Sequence, residues 1–346
     1  MMIRKYTIIF CLWVGLLSGK AVTGFAQELR LSKIHTGINS SFRGLSVVDN
    51  SIAWLSGSNG IVGITNNGGQ TWNFFPIKGF ETMDFRSIYA FDDKKAIIAN
   101  AGSPANILIT QDGGQSWQIV YTNEHEAAFL DGVDFWDDLH GIIYGDPIDG
   151  KMLILRTADG GQTWRELGNT PTLHEGEASF AASGTGIRCI DKESIVIATG
   201  GLTSRIWISA DEMESWTFLT PPILQGENSQ GIFSMAIWEN NWILAGGDYK
   251  NEGFSHQHIL YSDDQGQTWK SPDPATRGYR ESVEYITENM VVAVGPSGMD
   301  ISQDGGKTWQ PLNEESGFHV VRKARDGDLI IVAGSRGQVA ILDSRH

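Results

Sequence analysis

Four arginines carry the strongest chemical signal in the chain. Arg43, Arg86, Arg188 and Arg280 lie 29, 31, 28 and 29 residues before Trp72, Trp117, Trp216 and Trp309. A guanidinium presents its donors in a planar fork that grips a carboxylate through two parallel hydrogen bonds. So constant an offset implies equivalent places in a repeated unit, where the four would gather around one anionic group, with a carboxylate the favoured class. Asp131, Phe233 and His319 fall at or near the same point of the remaining units. The stretch from His174 to Gly186 joins two titratable residues, His174 and Glu177, to a run of small ones just ahead of Arg188, which suits a loop folded over a binding site. The bland alternatives are arginines that pair with acidic neighbours and a polar loop that is simply solvated.

The repeated unit is marked by an octapeptide. Thr65-Asn66-Asn67-Gly68-Gly69-Gln70-Thr71-Trp72 returns in the stretches ending at Trp117, Trp164, Trp216, Trp269 and Trp309, each close to Ser/Thr-x-Asp-x-Gly-x-Ser/Thr-Trp. Its acids are Asp112, Asp159, Asp211, Asp264 and Asp304; Asn67 stands in the first copy, and Met213 replaces the glycine of the fourth. Successive tryptophans are 45, 47, 52, 53 and 40 residues apart. At that period one supersecondary unit cannot bury its own face and must stack on its neighbours. Short apolar runs between Gly, Asn and Asp, with no sustained 3.6-residue pattern, make the units all-β. In the second unit the pattern predicts strand a over 86–91, b over 96–99, c over 107–110 and d from Trp117. The octapeptide is then the c–d turn, its glycine supplying a positive φ and its acid bonding turn amides. A calcium reading of Ser262-Asp263-Asp264-Gln265-Gly266 lacks the spaced ligands and closing Glu of an EF-hand loop.

A seventh unit without the octapeptide supplies strands at 318–323, 329–333 and 338–342, and no fourth strand follows. Leu29-Arg30-Leu31-Ser32-Lys33-Ile34 alternates like a half-buried strand. The expected fold is an all-β, seven-bladed β-propeller of four-stranded antiparallel blades, closed by the N-terminal strand completing the last blade. In such blades the a–b and c–d turns share one face, and the b–c and blade-to-blade loops share the other. The long connections 168–186, 220–231 and 248–258 all belong to this second face, where the channel-lining strand a begins.

Composition narrows the function further. The 346 residues include 41 acidic and 26 basic, a net charge of −15, a field that repels phosphate and leaves no expectation of a nucleic-acid partner. Arg4 and Lys5 precede fourteen uncharged residues and then Gly24-Phe25-Ala26. The run is too short to span a bilayer, so residues 1–26 read as a secretory signal and 27–346 as the propeller, placed in the periplasm or outside the cell. Without the leader the net charge becomes −18, with 23 basic residues left. Cys189 is then the one cysteine, and its apolar flanks Ile187 and Ile190 fit a small core residue better than a nucleophile. No His/Cys spacing suggests zinc, and Gly246-Gly247 lacks the strand-loop-helix setting of a phosphate cradle. Metals and cofactors are not expected, and the chain is read as a monomer.

The six octapeptides resemble the Asp-box (BNR) repeat of sialidases and related propellers. The fuller unit from Gly132-Val133-Asp134-Phe135-Trp136-Asp137 through Gly141-Ile142-Ile143-Tyr144-Gly145 to Arg156-Thr157-Ala158-Asp159-Gly160-Gly161-Gln162-Thr163-Trp164 is similar to the photosystem II stability/assembly factor family. That resemblance implies the propeller and a binding or assembly role. Similar proteins occur in bacteria without photosystems, so it names no partner. The sialidase resemblance implies an arginine triad for a substrate carboxylate, a Tyr-Glu nucleophile pair and an Asp acid/base. On it, Asp131 would be the acid, and Tyr279 or Tyr285 with Glu281 or Glu284 the pair. Phe42-Arg43-Gly44-Leu45 half matches the sialidase Phe/Tyr-Arg-Ile-Pro segment, departing at Gly44 and Leu45. Two functions follow: an exported module holding a protein segment, or an anionic ligand such as a glycan, on the long-loop face, or a sialidase-like glycoside hydrolase.

Overall fold

Runs such as Ala96-Ile97-Ile98-Ala99 are apolar on both sides, as a strand must be when neighbouring sheets cover both its faces. In the computed structural model, which describes residues 29–191 and 194–344, this is where they lie. The leader expected at 1–26 falls outside the described residues. Blade 1 comprises Phe42–Val47, Ala53–Gly57, Ile61–Thr65 and Asn73–Pro76, antiparallel in that order. Blade 2 repeats it with Phe85–Ala90, Ala96–Asn100, Ala105–Thr110 and Gln118–Asn123, within about two residues of the expected strands. Strand b is buried throughout, whereas the outermost strand is largely exposed.

Seven apolar clusters, one at each junction between neighbouring blades, hold the ring together. Trp54 and Val62 of blade 1 pack with Phe85 and Ile98 of blade 2, and Ile97 and Ile107 continue onto Val133 and Ile143 of blade 3. Each blade thus buries one face against each neighbour, and none can bury both alone. Closure is as expected: Leu29–Ile34 pairs antiparallel with Val339–Ser344 from Leu29 opposite Ser344 to Ile34 opposite Val339, beside Ile330–Gly334 and Phe318–Lys323. The fifth blade is irregular. Its sheet holds Gln230–Trp238, Asn241–Asp248 and Ile259–Ser262, and its outer strand shrinks to a bridge between Tyr261 and Lys270. On the inner side it gains the two-residue strands Gly200–Gly201 and Glu177–Ala178. Gly200 faces Gly231 there so closely that a Cβ on Gly231 would sit 2.4 Å from the Gly200 Cα.

The octapeptides are the c–d turns and consume their own acids. Asp112 Oδ1 accepts the Ser116 amide at 2.9 Å and the Thr110 hydroxyl at 2.9 Å, and Oδ2 accepts the Ser116 hydroxyl at 2.6 Å. The same bonds hold Asp264, where the Thr268 hydroxyl and amide keep the carboxyl down at about 2. Trp72, Trp164 and Trp309 each donate Nε1–H to the carbonyl of the box glycine three residues earlier. That glycine sits at φ +79 to +91° in five copies. Met213 must adopt φ +69° in the fourth, and Trp216 there bonds Asn169 instead.

Leu29 is 6% exposed and joins the cluster between blades 6 and 7 with Val292 and Val332. Leu29→Ala is expected to lower the unfolding free energy by about 2–3 kcal/mol, read from urea denaturation.

Candidate functional site

A β-bulge opens strand a in five blades. The antiparallel register slips by one residue between Phe42 and Gly44, Phe85 and Ser87, Leu130 and Gly132, Ile232 and Ser234, and Phe318 and Val320. The extra residues are Arg43, Arg86, Asp131, Phe233 and His319. A bulge residue has no opposite partner and is re-aimed away from the regular alternation; these five stand at the start of strand a on the long-loop face. Counting back from the a–b turns, Glu281 takes this place in blade 6 and Thr185 in blade 4.

Only two of the four sequence-selected arginines therefore reach the equivalent position. The offset to the box tryptophan also counts the b–c hairpin, which varies in length. Ile195 pairs with Ser209 where Ala53 pairs with Thr65, two residues more, and Val291 pairs with Ser302, one residue fewer than in blade 1. Arg188 consequently lies three positions further along its strand, inside the channel. There its Nη2 donates to Glu284 Oε2 at 3.2 Å, beside Arg322 at 3.5 Å from the same oxygen. Burial, then Arg322, lowers Arg188 to about 10. Arg280 is one residue out of register and points to the other side of its strand. It is fully buried, bonded through Nε to Asp300 Oδ2 at 2.8 Å and through Nη1 to the Tyr279 carbonyl and Ser297.

A cavity of about 500 Å³ opens over these strand starts. Arg43, Arg86, Glu281 and His319 line its charged side. Glu281 Oε2 accepts from Arg43 Nη1 at 3.1 Å and meets His319 Nδ1 at 2.5 Å, while Oε1 accepts the Tyr279 hydroxyl at 3.1 Å. Burial favours the neutral acid, but Arg43 and His319 outweigh it and hold the Glu281 carboxyl below its ordinary value. Arg86 donates Nε–H to Asp84 Oδ2 at 2.7 Å, and its side chain remains 33% exposed.

The opposite side is aromatic and comes from two of the three long loops together with the bulged Phe233. Phe180 stacks on Phe233 with centroids 3.8 Å apart, and Tyr249, 45% exposed, meets both rings edge-on. Loop 168–186 is tied across the channel mouth. The Ala182 carbonyl accepts from Arg43 at 2.9 Å, and Ser183 Oγ donates to the Glu281 carbonyl at 2.7 Å. Glu177 is the loop's anchor and does not line the cavity. It is buried, grips Arg205 Nε at 3.0 Å through both oxygens, and also accepts from Thr199 and Trp207. His174 is exposed and contributes its backbone amide to Glu177 at 3.0 Å. Phe180 and Tyr249 were not singled out from sequence. Their long loops were, but no periodicity says which loop residue turns inward.

Asp131 shares the bulge position yet is sealed from the cavity. It is fully buried, and neither carboxylate oxygen has a hydrogen-bond partner. Burial, reinforced by Asp146, pushes its carboxyl well above the carboxylate range against the pull of Arg86. Of the expected nucleophile pairs, Tyr279 with Glu281 is in hydrogen-bond contact, whereas Glu284 serves Arg188 and Arg322, and Tyr285 packs in the core between blades 5 and 6. Cys189 is half-buried against the core between blades 3 and 4, and desolvation there drives its thiol well up.

Taken together, bladed ring, box turns and channel-mouth cavity define an Asp-box repeat propeller. The family described as photosynthesis system II assembly factor YCF48 matches residues 26–126, and the BNR/Asp-box repeat matches 260–271 and 300–311. Among solved structures, the chain is similar to YCF48 bound to D1 peptide, at 19% identity and a TM-score of 0.64 over 93% of this chain and 96% of that one. YCF48 from Cyanidioschyzon merolae is similar at 17% identity and a TM-score of 0.65, over 90% and 98% of the two chains. The GH74 xyloglucanase from Xanthomonas campestris shares the fold at 14% identity and a TM-score of 0.61, over 90% of this chain and 53% of its own. No curated protein matches in sequence.

The raised Asp131 carboxyl has a definite linkage. A group whose folded pKa lies above its unfolded value, about 3.9, stabilises fully below that value and loses the contribution as pH rises toward the folded pKa. Asp131→Asn is expected to flatten this loss and be the more stable protein at pH 7, as urea titrations between pH 4 and 8 would show.

Proposed function

We propose that the chain is an exported, monomeric, assembly-factor-like module that holds a segment of a partner protein in the channel-mouth cavity. The observation that carries this is the two-sided cavity itself, with the charged side chains of Arg43, Arg86, Glu281 and His319 facing the rings of Phe180, Phe233 and Tyr249. An extended segment offers both kinds of group a few ångströms apart, and rigid strand starts keep the ordering cost on the protein's side small. A similar propeller is bound to a D1 peptide, which supports the class of ligand. Arg86 is the cation best placed for an acidic group, since its guanidinium is a third exposed and held by Asp84 alone among the described ion pairs. An acidic glycan would use the same contact.

A sialidase-like hydrolase is the second reading, favoured by the Tyr279–Glu281 hydrogen bond. Its proposed acid, Asp131, lies outside the cavity lining, and the one other lining carboxyl, Glu252, sits on an exposed loop. Glycoside hydrolysis needs two groups at defined separation across the bond.

The test is to capture partners from the periplasm or medium with the mature protein and titrate labelled overlapping peptides of each. Arg86→Ala is expected to weaken a bound acidic peptide about 10- to 100-fold, in line with about 1.5–3 kcal/mol for a hydrogen bond to a charged group. Unchanged affinity would remove Arg86 from the site. A panel of fluorogenic glycosides, sialosides included, is expected to show no turnover; turnover that vanishes in Glu281→Gln would put the hydrolase first.

A further inference from the structure

Three donors of different kinds converge at the cavity floor. Arg43 Nη1 and His319 Nδ1 stand 3.1 and 2.5 Å from Glu281 Oε2, and the Tyr279 hydroxyl stands 3.1 Å from Oε1. A guanidinium, an imidazole and a phenol aimed at one point form the donor set with which a site would seize a ligand's carboxylate. In this chain an internal carboxylate already fills it. Glu281 is only 4% exposed, and its backbone carbonyl is fixed in turn by Ser183 of the covering loop. Arg43 is committed twice, to Glu281 and to the Ala182 carbonyl. Arg86 borders the same space, but its Asp84 partner is itself 27% exposed, so a ligand can share this guanidinium.

The occupied floor changes what the cavity can accept. A carboxylate pushed past Arg86 toward Arg43 meets Glu281, a like charge in a poorly solvated place. An apolar side chain directed the other way meets Phe180 and the half-exposed Tyr249, whose rings it covers. Glu281 stays ionised near neutrality because Arg43 and His319 overcome the effect of burial.

We infer that Glu281 is a specificity-determining residue that occupies the floor's anion site from within. The cavity thereby selects a segment pairing one carboxylate, at Arg86, with an aromatic or apolar side chain against Phe180 and Tyr249, and rejects segments with two neighbouring acidic groups. This rests on the cavity being a segment-binding site.

Small probes test it without any partner. In calorimetric titrations, wild-type protein is expected to bind 3-phenylpropionate at least about tenfold more tightly than succinate. Arg86→Ala is expected to weaken 3-phenylpropionate by about tenfold, and Glu281→Gln, which keeps the side chain's shape, to shrink the preference below about twofold by admitting succinate. In Glu281→Ala, formate added at increasing concentration is expected to raise the thermal midpoint more than in wild type, by refilling the donor set. Succinate bound as tightly as 3-phenylpropionate by the wild type, no binding of 3-phenylpropionate, or an undiminished preference in Glu281→Gln would each overturn the inference. If Glu281→Ala does not fold, the Gln variant alone decides. Partner peptides that bind equally with one or two acidic residues would defeat the filter and leave segment binding standing. The probe preference without any binding partner peptide would defeat segment binding and leave the filter.

Discussion

One extra residue in one strand of an antiparallel pair cannot face the residue across from it, and this constraint decides what the channel mouth contains. Regular alternation would send each side chain of strand a either into the junction between blades or into the narrow channel. The bulge creates a third direction, at the strand's beginning, where neighbouring blades bring their own bulged residues together. Because the ring closes, Arg43, Arg86, Phe233, Glu281 and His319 meet although they are scattered over 277 positions of the chain. The junction cores make the arrangement rigid. A blade cannot tilt to admit a ligand without opening the apolar clusters it shares with both neighbours.

Electrostatics then grades the residues so assembled. The chain is strongly acidic, yet the arginines of its interior are nearly all matched. Arg188 and Arg322 share Glu284, Arg280 holds Asp300, Arg205 holds Glu177, and Arg43 holds Glu281. Each is a pair whose breakage would strand a poorly solvated charge, so these arginines maintain shape and position. Arg86 is set apart by its exposure, and position in the ring alone would not have distinguished it from Arg43.

The fold was legible because its signals are local. Each octapeptide declares a turn through residues within eight positions, and the period between tryptophans declares stacking. Leu29–Ile34 was recognisable as the closing strand because a half-buried strand must alternate and the seventh unit visibly lacked a member. The candidate site was legible only in part. Arg43, Arg86, Asp131, Phe233 and His319 were placed correctly relative to one another, but Arg188 and Arg280 were not. Their offsets agreed only because differences elsewhere in the blade compensated, and an error of a single position moves a side chain to the other face of its strand. Glu281 stood one residue from the position chosen. Phe180 and Tyr249 belong to loops whose course depends on contacts such as Glu177–Arg205, formed between residues 28 positions apart.

The closing strand also imposes an order on the molecule's birth. Leu29–Ile34 leaves the ribosome before any of the seven blades' other strands, and its partner Val339–Ser344 leaves after all of them. Until that partner is made the first strand has no edge of the seventh blade to pair with, and Leu29 has no junction between blades 6 and 7 to enter. Six blades can stack before then, but the circle stays an open arc until Val339–Ser344 is made. This pairing joins the most sequence-distant strands among the described residues, and contacts of such separation carry the largest loop-closure entropy.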